Sequence, residues 1–267
     1  MNQAALDRFR RIVYDRSGIV LGASKEALIR ARLAKRMRAL GIQDPKAYLR
    51  RLAGDGAGAE LVALVDVVST NVTSFFREEE HFSFLQQAVS KWAAGGQRRF
   101  RFWSAACSTG EEPLSMAMAV LEALGGRAGD LKILATDIST RVLEHCSRGV
   151  YEKAKLAAVP VPLRERYFES RAAAPETPCA VREELKRRVV FRWLNLSKTP
   201  FPMRGPFDAI FCRNVMIYFD KRVRRQLLAE IERLLKPGGY LMVGHAESLA
   251  AMGGPFRIVM PSVYRRA

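Results

Sequence analysis

Between Arg101 and Pro113 the chain reads RFWSAACSTGEEP, an apolar run that passes through small residues into a pair of carboxylates. No other stretch restricts the fold as much. Phe100, Phe102 and Trp103 have strand character, and Glu111 and Glu112 open the helical run Leu114 to Leu124, so Ala105 to Gly110 form a strand-to-helix turn. Side chains this small let a ligand approach the backbone closely, and Gly110 tolerates whatever φ the turn needs. A phosphate cradle would present cations or bare N–H groups at this helix start, whereas paired carboxylates repel phosphate. A ligand with hydroxyls and an ammonium group is compatible, and S-adenosylmethionine (AdoMet) carries both. Alone the turn decides little: it lacks G-x-G-x-x-G spacing, and first-turn carboxylates also complement a helix dipole.

The rest of the C-terminal two-thirds adds weight. LKILATDI (Leu131 to Ile138) reads as a second buried strand, and its Asp137 falls where a nucleotide-binding α/β fold places a carboxylate for ribose hydroxyls. GPFDAIFCRNVMIY (Gly205 to Tyr218) supplies a later strand, and LLKPGGYLMV (Leu234 to Val243) a helix end, a turn and a further strand. This alternation predicts a parallel sheet covered by helices on both faces. Pro160, Pro162, Pro175 and Pro178 interrupt it, while YFES, CAVRE and RVVFRWLNL have strand character. They predict a small antiparallel insertion at about 160–192 whose last strand runs on into the main sheet.

The N-terminal third reads as short helices. Leu6, Phe9, Ile12 and Val13 recur at helical spacing before a break at Ser17-Gly18; Ser24 is a candidate cap for a second helix with the stripe Ile29, Leu33, Met37, Leu40. Asp44-Pro45 starts a third helix, and GDGAG (Gly54 to Gly58) links it to Leu61 to Val68. A helical domain is therefore expected over 1–72 and the α/β domain over 73–267. STNVTSFFREEEHF joins them as an ordered loop that Phe75 and Phe76 pin to a core.

With 44 Lys and Arg against 27 Asp and Glu, the formal charge is +17, a field that attracts acidic proteins, nucleic acid or anionic membrane. From Lys25 to Arg51 only Glu26 and Asp44 oppose nine basic residues. The four cysteines form no CxxC pair and read as reduced and packed; His81, His145 and His245 lie far apart in sequence, so no metal site is expected. Nothing resembles a signal peptide, and no run approaches the ~18 apolar residues of a membrane span, so a soluble cytoplasmic monomer is expected.

STNVTSFFRE (Ser69 to Glu78), FWSAACSTGEEP, LATDIST (Leu134 to Thr140), FDAIFCRNVMIYFDK (Phe207 to Lys221) and LLKPGG, in this order, resemble the chemotaxis receptor methyltransferase family, CheR. The resemblance implies methyl transfer from AdoMet to glutamate side chains of membrane chemoreceptors, recruitment to receptor arrays, and S-adenosyl-L-homocysteine as by-product. It implies that Glu112 and Asp137 bind polar groups of the cofactor, that Asn195 and Leu196 meet the adenine, and that Asn71, Thr73 and Arg77 reach over it. Arg213, Asn214 and Tyr218 follow the fourth strand, with Arg213 and Asn214 assigned to the cofactor and Tyr218 to catalysis; Arg77 serves either the cofactor's carboxylate or the acceptor glutamate. Arg32 and Arg36 on the basic helix are implied contacts to the receptor's methylation helices, and the inserted sub-sheet docks a receptor C-terminal tail peptide in some members.

The chemistry suits that residue set. A glutamate is already ionised at pH 7, so methyl transfer to it needs no general base and no metal. Alignment and removal of water can carry the catalysis. A nucleic-acid methyltransferase would also explain the charge, but CRNVMIYF stands where base N-methylation brings an Asn/Asp-Pro-Pro-aromatic run, and no nucleic-acid partner is expected. A non-catalytic AdoMet-binding scaffold is the other reading, against which Arg77, Asn214 and Tyr218 stand.

Overall fold

The computed structural model describes residues 3–22, 26–54, 58, 60, 62–64, 73–126, 129–170, 177–249 and 254–267. Three helices come first: α1 (Gln3–Ser17), α2 (Glu26–Ala39) and α3 (Pro45–Ala53). Asp44 caps α3, its carboxylate accepting from the N–H groups of Lys46 and Ala47, with Pro45 at the first helical position. Leu6, Phe9 and Val13 of α1 and Ile29, Leu33 and Met37 of α2 are the buried stripes, as their spacing predicts. Ser24, Asn71 and the expected boundary at residue 72 lie outside the described residues.

Then α4 (Glu79–Ala94), β1 (Arg99–Ser104), α5 (Glu111–Ala123), β2 (Asp130–Asp137) and α6 (Thr140–Arg148) build the first half of an α/β unit. The segment that follows contains β3 (Val150–Tyr151), α7 (Val161–Tyr167), β4 (Phe168–Ser170), β5 (Cys179–Val181) and α8 (Glu183–Lys186). It leads to β6 (Val189–Trp193), β7 (Phe207–Cys212), α9 (Lys221–Leu234), β8 (Leu235–Val243), β9 (Phe256–Met260) and β10 (Val263–Arg266).

The large sheet has the order β6-β2-β1-β7-β8-β10-β9. Five strands, β6 to β8 in that order, run parallel, and β10 returns antiparallel to both β8 and β9. A second sheet, β3-β5-β4, is antiparallel. It includes Val150–Tyr151, ahead of the expected start at about 160, because β3 pairs with β5. The turn read at Pro237-Gly238 lies inside β8, where Gly238 takes φ +72° and the pairing with β7 shifts register.

Each face of the sheet carries its own core. Trp103, Ile210 and Leu241 face α9 and the N-terminal helices in one continuous cluster, while Phe100, Phe102 and Phe211 face α4 and α5 in the other. Phe75 is buried edge-on to Tyr151 and Phe168, so the loop ahead of α4 is pinned as its aromatic pair suggests. All four cysteines are buried and free, and no described helix is long and apolar enough to cross a membrane.

Candidate active site

Strand order reverses between β1 and β7, and an open α/β sheet binds its ligands at such a switch point, beyond the carboxyl ends of the strands. A cavity of about 340 Å³ lies there. The segment after β1 contributes Ala105, Ala106, Ser108 and Glu112, that after β2 Asp137 and Ser139, and that after β6 Leu194, Asn195 and Leu196. The turn after β7 adds Arg213, Asn214 and Tyr218, and the loop ahead of α4 adds Thr73 and Arg77. Nine of the residues singled out in the sequence therefore meet in one place.

Local bonding fixes the walls. Gly110 has φ +97°, and a Cβ there would stand 2.6 Å from the Tyr151 hydroxyl and 2.9 Å from Cys146 Sγ, so the turn into α5 requires glycine on both counts. Asp137 Oδ2 accepts from the Ser108 N–H at 2.9 Å and Oδ1 from the Ser139 N–H at 3.0 Å. Its carboxylate thus ties the β1 turn to the β2 turn. Ser104 donates to Glu112 Oε1 at 2.7 Å, and Arg213 Nη1 lies 3.3 Å from Glu112 Oε2. Burial raises the Glu112 carboxyl above its ordinary range, against the pull of Arg213 and Ser104.

Arg213 is a buried hub. Its guanidinium also meets Glu78 Oε2 at 3.1 Å, donates to the Arg77 carbonyl, and stacks near the Phe82 and Phe211 rings. Burial raises Glu78, but Arg213, the His245 N–H and the neighbouring imidazoles together outweigh it, and the carboxyl ends below its usual value. Burial likewise lowers the imidazole of His81, to about 4.

Two contributions were not legible in the sequence. The buried carboxylate of Glu247 accepts from the N–H groups of Asn214 at 2.8 Å, Gly244 at 2.7 Å and Ile217 at 3.2 Å, and so holds the Arg213–Tyr218 turn against the end of β8. Asn214 sits at φ +55°, and a Cβ on Gly244 would fall 2.4 Å from its Nδ2, a close approach that only glycine allows. Ser17 and Ile19, at the end of α1, line the cavity as well. The Val20 N–H donates to the Tyr218 carbonyl at 2.8 Å and Ile19 bridges to Phe219, so the helical domain forms part of the wall. Asn195 secures this join, donating to the Arg16 carbonyl at 2.7 Å while its own oxygen accepts from the Ser197 N–H and hydroxyl.

Arg32 and Arg36 lie on α2, outside the cavity lining. Arg36 makes a two-pronged pair with buried Glu60, at 3.0 and 2.6 Å, and Tyr48 donates to the same carboxylate at 2.8 Å. The Arg36 charge is thus engaged within the helical domain. Histidines distant in sequence do converge, since His81 and His245 meet beside Glu78.

A switch-point cavity with two carboxylates, small-residue turns and an apolar wall, set in a parallel sheet with one reversed strand, defines a nucleotide-cofactor transferase of the AdoMet-dependent methyltransferase class. The chain belongs to the CheR methyltransferase family: residues 71–264 match its SAM binding domain and residues 4–69 its all-alpha domain. It is 40% identical over 264 residues to a chemotaxis protein methyltransferase of Klebsiella aerogenes, covering 99% of this chain and 90% of that protein. The Escherichia coli protein of the same name is 38% identical, with 99% and 91% covered. Chemotaxis protein methyltransferase 2 of Pseudomonas aeruginosa is 39% identical, with 97% and 91% covered.

Proposed function

We propose that the chain esterifies glutamate side chains on the cytoplasmic helices of chemoreceptors with the methyl group of AdoMet. The observation that carries this reading is the meeting of Asp137, Glu112, Arg77, Asn214 and Tyr218 around one cavity at the strand ends. The residues fit the cofactor: the two acceptor oxygens of Asp137, which lines the cavity, suit vicinal hydroxyls, Glu112 suits an ammonium group, and Ile138, Leu194 and Leu196 offer an apolar slot for a purine. AdoMet supplies an electrophilic methyl group. Arg77 and Tyr218 are the groups assigned to orient the incoming carboxylate, and Thr73, Asn195, Arg213 and Asn214 to hold the cofactor side. Asn71, two residues before Thr73 in the sequence, shares that role by family likeness.

Tyr218 and Arg77 must guide the carboxylate without binding it so tightly that the ground state is favoured over a transition state in which its charge is partly spent. The acceptor face supports a receptor helix, because Val20 and Ile217 place two exposed apolar side chains beside the Tyr218 turn. The sub-sheet β3-β5-β4 is the surface available to a receptor tail peptide.

Transfer of labelled methyl from AdoMet to receptor membranes, released by mild base, tests the activity. Tyr218→Phe is expected to lower kcat with AdoMet affinity retained, since only a hydroxyl is removed. Arg77→Ala lowers kcat in either role; a large loss of AdoMet affinity assigns it to the cofactor, a small one to the acceptor. Full labelling by the double variant would remove both residues from the reaction, and AdoMet binding without any labelling would favour a non-catalytic scaffold.

A further inference from the structure

Behind Arg213, three side chains converge that the methyl transfer does not use as ligands. Glu78 Oε2 lies 3.5 Å from His81 Nδ1 and 3.9 Å from His245 Nε2, and one ligand atom from each of the three falls within 4.8 Å of the others. The two imidazoles stand edge-on with ring centres 5.4 Å apart. His81 is fully buried, and neither of its ring nitrogens has a hydrogen-bond partner among the described residues. An orphaned buried polar group is costly, and here it faces a carboxylate and a second imidazole.

We propose that Glu78, His81 and His245 form a zinc site adjoining the cofactor cavity, with Glu80 as the carboxylate on its solvent side. Two imidazoles with carboxylate oxygen are donors that Zn²⁺ accepts and that Mg²⁺ and Ca²⁺, which prefer all-oxygen shells, do not. Tetrahedral zinc with ligands at its usual bond lengths holds them about 3.3 Å apart. The Glu78–His81 separation already meets that spacing, and the half-exposed side chain of His245 is free of tight packing on its solvent side. Glu80 Oε1, 2.6 Å from His245 Nε2, stands ready to share the ion. Glu78 and Glu80 thus set two carboxylates around the imidazoles, with Arg213 the cation beside Glu78.

The site is coupled to the cavity through one atom. Glu78 Oε2, which would ligate zinc, is the oxygen that meets Arg213 at 3.1 Å, and Arg213 lines the cavity. Bound zinc therefore competes with Arg213 for Glu78 and repels the guanidinium, so occupancy lowers AdoMet affinity, and AdoMet lowers zinc affinity by the same factor.

The test uses the full, tag-free chain stripped of metal. Equilibrium dialysis with Zn²⁺ is expected to give one ion per chain, and Co²⁺ in its place the intense visible bands of a low-coordinate site. His245→Ala, a change at an exposed side chain that does not line the cavity, is expected to weaken zinc binding at least about tenfold and abolish the Co²⁺ bands. Calorimetry is expected to show weaker AdoMet binding with zinc in the parent chain and no zinc effect in His245→Ala. No zinc uptake at roughly 100 µM, or equal uptake by His245→Ala, overturns the site. Zinc uptake that leaves AdoMet affinity unchanged overturns the competition with Arg213. None of these readouts depends on receptor methylation, so their failure leaves the proposed activity intact.

Discussion

At the scale of single residues the cavity depends on carboxylates that bond to backbone N–H groups. Glu247 serves three donors, which an amide cannot do with one oxygen, so Glu247→Gln leaves at least one buried N–H unpaired at a cost of ~1 to 3 kcal/mol. The turn it releases carries Asn214 and Tyr218, so kcat in the receptor assay is expected to fall severalfold while the circular dichroism stays native; an unchanged kcat would show that the turn holds itself. Asp137 has a double duty of the same kind, as anchor for Ser108 and as candidate partner of the ribose. Asp137→Ala is expected to weaken AdoMet by at least ~1.5 to 3 kcal/mol, the range for bonds to a charged group, and calorimetry showing full affinity would remove it from the site. Asp137 and Glu112 were legible in the sequence because each closes or follows a strand with a clear apolar pattern. Glu247 was not, since its bonds to Asn214 and Ile217 span 33 and 30 residues and no local pattern announces them.

At the scale of elements, the N-terminal helices were readable as amphipathic segments, but their contacts were not. Apolar spacing identifies the face of α1 that is buried without identifying what covers it; α1 packs into the same cluster as Trp103 and Ile210 and ends as a wall of the cavity. The pairing of Arg36 was not legible either, because in the sequence Arg36 looks like its basic neighbours until Glu60 is placed beside it. Burial raises the Glu60 carboxyl, but its bonds to Arg36 and Tyr48 outweigh this and leave it below the ordinary value. A carboxylate lowered on folding contributes stability that is complete above its unfolded pKa of ~4.3 and is lost as pH falls through the folded value. Acid unfolding followed by tryptophan fluorescence and by helical circular dichroism is therefore expected to begin below pH ~4 in the parent chain. In Glu60→Gln that acid-dependent part is expected to be smaller. Arg36→Ala takes the cation from buried Glu60 and leaves it the Tyr48 hydroxyl, and is expected to cost roughly 2 to 4 kcal/mol, the buried-pair range reduced for the partial exposure of Arg36. An Arg36 variant as stable as the parent in urea titrations would show that the pair with Glu60 does not hold the helical domain.

At the scale of the whole molecule, alternation of strand and helix patterns was enough to foresee the parallel sheet, and Asp137, read from its place after an apolar strand, lines the cavity at the strand ends. The antiparallel β9 and β10 were not foreseen, because FRIVM and VYRR carry too few residues to distinguish an edge strand from a loop. What remains to be tested at this scale is the charge. The buried stripe of α2 is Ile29, Leu33 and Met37, which turns Lys35 and Arg38 to solvent and leaves Arg32 half-buried beside them. A field of this sign raises the encounter rate with an acidic helix and is screened as the Debye length shrinks from about 10 Å at 0.1 M salt to about 3 Å at 1 M. The double change Arg32→Glu, Lys35→Glu spares the Arg36–Glu60 pair and is expected to lower kcat/KM for receptor severalfold at low salt with AdoMet affinity unchanged. It is also expected to flatten the salt dependence that the parent chain shows. On the proposed reaction each ester formed removes one negative charge from the receptor, so the parent's advantage is expected to shrink with every methyl added to the same helix. Rates indifferent to salt, to the double change and to the number of methyl groups already present would show that α2 is a solvated face and that recognition rests on the apolar rim at Val20 and Ile217 instead.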